Sequence, residues 1–180
     1  EVYSLHWQNA FICLLFVLFF LLGAFASSVM VELMALRNNK SIYVLPVVVE
    51  SAILLVVSLS GTLWVSSHLN AMAFALLFAM GLQNALVTKI SNSVVRTTHL
   101  TGLFTDLGIE LSQLFFYHLP GQRKQLLGSI GLRMAIITSF FVGGVLGAVL
   151  YGQVGLLALS LAAALLLLGL VADHLSLLEP

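Results

Sequence analysis

Long apolar stretches are the feature that most constrains the fold of this chain. A helix that crosses the hydrocarbon core of a bilayer needs about 20 residues. Stretches of about this length cover residues 10–34, 42–65, 71–87, 132–151 and 155–172. None has the alternating polarity of a barrel strand, so helices are the spanning structure that fits. The sequence predicts an all-α, polytopic transmembrane helix bundle in which residues 1–180 form a single domain.

Composition excludes several classes of protein. The chain is 61% hydrophobic and 8% charged, whereas a soluble domain is about 25% charged. The net charge is zero, so no basic surface for nucleic acid is predicted. Cys13 is the only cysteine, and no phosphate loop, Gly-x-Ser-x-Gly or His-Glu-x-x-His motif occurs. We therefore expect a lipid-embedded protein that is not an enzyme and has no cofactor and no metal site.

Residues 100–119 form a sixth stretch that is long enough to span but carries charged side chains. Lys and Arg in short loops concentrate on the cytoplasmic side of a membrane. Two of them follow the first span, five lie between Lys89 and Arg133, and none lies in residues 66–70 or 152–154. All seven basic residues lie on one side of the membrane only if residues 100–119 do not cross it fully. We therefore predict five spans plus a polar re-entrant or cavity-lining helix, with a sixth spanning helix as the alternative.

Three segments resemble the signature of the YoaK-like bacterial membrane proteins. They are Gly81-Leu-Gln-Asn-Ala85, Val95-Arg-Thr-Thr-His-Leu-Thr-Gly102 and Thr105-Asp-Leu-Gly108. These relatives are multi-pass proteins grouped as a domain of unknown function, so the resemblance implies a multi-pass fold in the inner (plasma) membrane but no substrate. Family members look as though they carry an earlier copy of the signature. The resemblance thus implies a chain truncated at its start or a shortened relative.

The polar side chains in and beside these segments are the candidate substrate-binding residues. On a helix, Asp106 and Glu110 share one face, and two neighbouring carboxylates favour a shared proton or a bound cation. The alternative is an interfacial helix whose acids face water, and the signal for metal ligands is weak. The predicted binding residues are Gln83, Asn84, Thr98, His99, Thr101, Asp106 and Glu110.

Several of these residues have simpler interpretations that stay open. Gln83 and Asn84 lie inside an apolar helix, where a neighbouring helix or a substrate would satisfy their amides. Thr98 would equally serve as a helix cap. Glu50 is a second deep charge that needs a proton, a cavity or a hydrogen bond to another helix. Glu32 is expected to pair with the nearby Arg37 or to reach the interface.

Small residues spaced along two predicted helices indicate close helix packing. Gly23 with Ser27 is one such set, and Gly143, Gly144 and Gly147, continuing to Gly152, form the other. Small side chains let helix backbones approach each other in a membrane. We expect these glycines to form intramolecular contacts or the seam of an oligomer.

These observations predict a small-molecule transporter or permease-like protein. The acidic pair would bind a proton or a cation, and a small molecule or ion would be the substrate. The alternative is a non-transporting structural or accessory subunit. That subunit would pack into a homo-oligomer or a larger membrane complex through its glycine-lined helices.

Overall fold

The computed structural model describes residues 7–37, 42–60, 67–90, 100–117 and 119–176. The prediction of an all-α fold is confirmed, since the described residues form helices and no strand. The helices are α1 (Trp7–Leu36), α2 (Val44–Leu59), α3 (Leu69–Ile90), α4 (Leu100–Gln113), α5 (Pro120–Val154) and α6 (Ala158–Ser176), with a short 3-10 turn at Gly155–Leu157.

Helices α1 and α3 pack against each other along much of their length. Phe16 and Phe19 in the first half of α1 contact Phe74 near the start of α3. At the other end, Glu32 accepts a hydrogen bond from Lys89 at 2.6 Å. The first contact joins the N-terminal halves of the two helices and the second joins their C-terminal ends, so the helices run parallel. This arrangement also corrects the expected pairing of Glu32 with Arg37, because it brings the end of α3 to Glu32.

Two glycines permit the close contact between α1 and α3. A Cβ added at Gly23 would overlap the carbonyl oxygen of Phe78, and one at Gly81 would overlap that of Phe20. Each glycine therefore lies directly against the backbone of the other helix. The prediction that Gly23 lets α1 approach another helix is confirmed, and Gly81 is its counterpart on α3.

Helix α2 packs against α3 and α6. Its buried side includes Glu50, Ser51, Val57 and Ser58. A mostly apolar helix with this many buried polar groups departs from the usual pattern, because such groups are costly to bury without hydrogen bonds. Among the described residues, most of the fully buried polar side chains therefore belong to α2.

Helices α4 and α5 form a separate antiparallel hairpin. Leu103 and Leu107 on α4 are buried in one apolar cluster with Ile137 of α5. These leucines are one turn apart and so share a face of the helix. The amphipathic pattern of α4 therefore determines which side packs on α5.

Helix α5 begins earlier and is longer than the sequence predicts. It starts at Pro120, where a proline is well tolerated because the first helical N–H has no partner within the helix. It ends at Val154, and the next residue, Gly155, has a φ of 60°, in the left-handed region that favours glycine. Its 35 residues measure about 52 Å, well beyond a hydrocarbon core of about 30 Å.

The second half of α5 has few neighbours. A Cβ at Gly143, Gly144, Gly147 or Gly152 would meet no atom within 4 Å among the described residues. Helix α6 makes few contacts with α5 and packs mainly along α2. Within the described part of the chain, these glycines thus form no intramolecular packing seam.

Three helical stretches are long and apolar enough to cross a membrane: Ala10–Leu36, Leu69–Ile90 and Gly121–Ala172. The apolar helix α2 is shorter, with 16 residues. The described part of helix α4 has 14 residues, or about 21 Å. Five spans plus a re-entrant or cavity-lining helix, with a sixth spanning helix as the alternative, stays a prediction.

Candidate functional site

A partly open cleft lies where α2, α3 and α6 meet. Its volume is about 450 Å³, and its lining includes Glu50 and Gln83, the polar side chains of the set. The rest of the wall is apolar: Leu54, Leu76, Ala79, Met80, Ala162, Leu165 and Leu166. The cleft thus places one carboxyl group and one amide in an otherwise hydrocarbon environment.

Glu50 is the most unusual residue of this cleft. The residue lies near the middle of the α2 sequence and is only 3% exposed. Its Oε2 atom has no hydrogen-bond partner among the described residues, and neither has the buried Oγ of the adjacent Ser51. An unpaired carboxylate in such surroundings is costly, so this group needs a proton or a cation. The cavity, one of the three possibilities raised by the sequence, is present.

Asp106 and Glu110 lie elsewhere, on the α4–α5 hairpin, and both contact Arg133. The Arg133 Nη1 atom lies 2.8 Å from the Asp106 Oδ2, and its Nε lies 3.0 Å from the Glu110 Oε2. Ser129 donates a further hydrogen bond of 2.6 Å to the Glu110 Oε1. One arginine therefore offsets the repulsion between the two carboxylates that the sequence predicts.

The amide residues Gln83 and Asn84 differ in position relative to the cleft. Gln83 lines the cleft with Glu50, while Asn84, the next residue on the helix, is outside its lining. The backbone carbonyl of Asn84 accepts a hydrogen bond from the Thr88 hydroxyl at 2.7 Å. Adjacent residues on a helix point about 100° apart, which explains why only one of the two reaches the cleft.

The threonine and histidine candidates are only partly described. Thr98 and His99 lie outside the described residues. Thr101 is exposed near the start of α4, and its carbonyl accepts a hydrogen bond from the Thr105 hydroxyl at 2.8 Å. The predicted binding residues thus divide between two regions, with Gln83 in the cleft and Asp106 and Glu110 on the hairpin.

Sequence reasoning did not predict the surroundings of two residues, Arg133 and Glu50. Arg133 counts in the sequence only as a loop charge, and its position 23 residues after Glu110 gives no periodic signal of a contact. Glu50 does carry a signal, since it is a lone acid in an apolar helix. It lies far in sequence from the signature-like segments, so it was not grouped with Gln83.

A family model described as "Protein of unknown function (DUF1275)" matches residues 2–172. The chain belongs to the DUF1275 family. The YoaK-like resemblance is consistent with this membership. A comparison with curated proteins and with solved structures found no match. Together with its long apolar helices, the family match identifies this DUF1275 chain as an integral membrane protein.

Proposed function

We propose that this DUF1275 chain is a solute carrier of the bacterial inner membrane and that the Glu50 cleft is its binding site. The observation that carries the proposal is a buried carboxyl group with a partnerless oxygen at the wall of a cleft. A charge at the centre of a membrane helix costs about 3 kcal/mol or more. A buried charge does not strengthen the packing of a helix bundle, whereas in a binding site it supplies a carboxyl group that can bind a proton or a ligand.

In this proposal Glu50 alternates between two occupied states. A proton neutralises the carboxyl group when the cleft is empty, and a solute replaces that proton when it binds. Because only one of the two is held at a time, movement of the solute is coupled to movement of the proton. The chain carries the solute without chemical change.

Asp106 and Glu110 receive a different role in this proposal from the one expected from the sequence. Both carboxylates already contact the Arg133 guanidinium, so the fold supplies each of them with a partner. Contacts with Arg133 support a structural role, in which the two acids hold α4 on α5. Their part in solute binding stays a prediction.

The experiment is gradient-driven uptake of a defined mixture of small metabolites into proteoliposomes. Vesicles with an imposed pH gradient contain the native protein, the Glu50→Gln variant or the Glu32→Gln variant, and mass spectrometry identifies the compounds inside. Glu32 is the matched control, since it is an exposed acid paired with Lys89. We expect at least one compound to accumulate about tenfold above the Glu50→Gln level, and an uncoupler should abolish the difference.

The control variant should behave like the native protein in this assay. Absence of gradient-dependent accumulation in native vesicles would refute the carrier proposal. So would equal accumulation with the Glu50→Gln variant.

The second candidate function is an accessory subunit of a larger membrane complex. The observation that favours it is the exposed second half of α5, where four glycines have no neighbouring atom within 4 Å of an added Cβ among the described residues. Native mass spectrometry of gently solubilised membranes would test this candidate. A stable complex with a different protein, together with no uptake in the vesicle assay, would favour the subunit over the carrier.

A further inference from the structure

The walls of the Glu50 cleft limit the chemistry of its ligand. A compact inorganic cation binds through several oxygen atoms that replace its water shell. The cleft lining offers the Glu50 carboxyl group and the Gln83 amide as its polar side chains. No cluster of three or more metal-ligating side chains occurs among the described residues. A strongly hydrated ion would therefore lose more hydration free energy than coordination by this lining would restore.

The same walls suit a cation whose charge is spread over an apolar surface. Such a cation is weakly hydrated, so its transfer into an apolar cleft costs little. Leucine and alanine side chains would cover its apolar surface, and the flexible thioether of Met80 would adapt to its shape. The cleft volume of about 450 Å³ lies within the range of small-molecule sites, which is about 300–1,000 Å³.

Charge balance at the cleft also points to a monovalent ligand. Glu50 is the only ionisable side chain in the α2 sequence, and no other lines the cleft among the described residues. On the helices packed against α2, Glu32 and Lys89 neutralise each other, and the α6 sequence carries Asp173 and His174 near its end. One carboxylate therefore offers one negative charge to a ligand.

We propose that the Glu50 cleft binds a lipophilic organic monocation, such as a quaternary or delocalised cation, in exchange for a single proton. This inference rests on the proposed carrier function and specifies its substrate class. The Glu50 carboxylate supplies the counter-charge, Gln83 offers its amide oxygen to the cation, and the leucine wall selects for apolar groups. Acidic solution weakens binding, because protonation removes the counter-charge.

The test is binding of tetraphenylphosphonium to the purified full chain in detergent, measured by equilibrium dialysis. We expect saturable binding with about one site per chain. The Glu50→Gln variant should bind at least tenfold more weakly, and the Glu50→Asp variant, which keeps the charge, should retain part of the affinity. The Glu32→Gln variant should bind like the native protein.

A second measurement separates loss of a ligand contact from loss of the fold. All variants must have the same circular dichroism spectrum and the same monodisperse elution. In the native protein, tetraphenylphosphonium affinity should fall as the pH is lowered, whereas in Glu50→Gln it should not depend on pH. Equal affinity in the native protein and Glu50→Gln would overturn the proposal. An absence of saturable binding would also overturn it.

The proposed function and this substrate class fail in different ways. Glu50-dependent uptake of a neutral or anionic compound, without tetraphenylphosphonium binding, would overturn the substrate class and leave the carrier intact. Glu50-dependent binding of tetraphenylphosphonium without gradient-driven uptake would support the cation site and overturn the carrier.

Discussion

The two acidic regions of this molecule differ in what surrounds their carboxyl groups. On the α4–α5 hairpin, Asp106 and Glu110 contact Arg133, and Asp106 is about half exposed. In the α2–α3–α6 cleft, Glu50 is almost fully buried and its Oε2 has no partner among the described residues. The hairpin acids are therefore satisfied by the protein itself, whereas Glu50 is left for the proton or the ligand that we propose.

This difference shows why the number of acids in a segment is a poor guide to its function. A pair of acids beside an arginine can be neutralised within the fold, and such a network positions one helix on another. A single acid in an apolar wall is left with an energetic cost that a proton or a ligand relieves. The comparison therefore supports a packing role for the hairpin acids and the proposed binding role for the cleft.

The largest effect is expected from Gly81→Ala, which tests whether the cleft depends on the contact between α1 and α3. The new Cβ would overlap the Phe20 carbonyl oxygen, and the two backbones would have to separate. We expect the free energy of unfolding in detergent to fall by about 3 kcal/mol, and tetraphenylphosphonium binding to fall with it. Denaturant titration measures the first quantity.

Gly108→Ala is the matched control for this prediction, because a Cβ there would meet no atom within 4 Å among the described residues. Gly108 lies inside α4, where alanine is the better helix former. Stability equal to or slightly above that of the native chain is expected for this variant. Equal stability of Gly81→Ala would contradict the close contact between α1 and α3.

An intermediate effect is expected from Arg133→Met, which leaves two neighbouring carboxylates without their partner. We expect α4 to separate from α5 more often, at a cost of about 1–2 kcal/mol, since Asp106 is partly exposed and its pairing is weakened by solvent. Hydrogen exchange should accelerate in α4 and stay unchanged in α2.

A triple variant sharpens this result. Asp106→Asn and Glu110→Gln, combined with Arg133→Met, remove the whole charge network and should restore much of the slow exchange. Unchanged exchange in the single variant would show that the arginine does not hold the hairpin together.

The smallest effect is expected from Lys89→Met at the ends of α1 and α3. The ion pair with Glu32 has a 2.6 Å separation, but the Glu32 side chain is largely exposed, and such pairs contribute about 0–1 kcal/mol. The free energy of unfolding should therefore change by less than about 1 kcal/mol, and the affinity of the cleft for tetraphenylphosphonium should stay the same. A loss comparable to that of Gly81→Ala would mean that this pair, and not the glycine contact, fixes α1 on α3.

The sequence was sufficient for the helical class and for much of the helix pattern. Long apolar stretches dictate membrane helices, and Gly23 correctly indicated a close helix contact. The start of α5 was misplaced because residues 120–131 are too polar to appear in an apolar stretch, although a helix outside the hydrocarbon core tolerates them. The cleft was not predictable, because it depends on which helices become neighbours and on which of Gln83 and Asn84 faces Glu50.

The central claim is that Glu50, and not the Asp106–Glu110 pair, is the carboxyl group that exchanges a proton with a ligand. Dicyclohexylcarbodiimide tests it most directly, since this hydrophobic reagent adds to protonated carboxyl groups in apolar surroundings. Mass spectrometry of the treated protein should locate a stable N-acylurea adduct on Glu50, and tetraphenylphosphonium should suppress it. Adducts on Asp106 or Glu110 with an unmodified Glu50 would contradict the account.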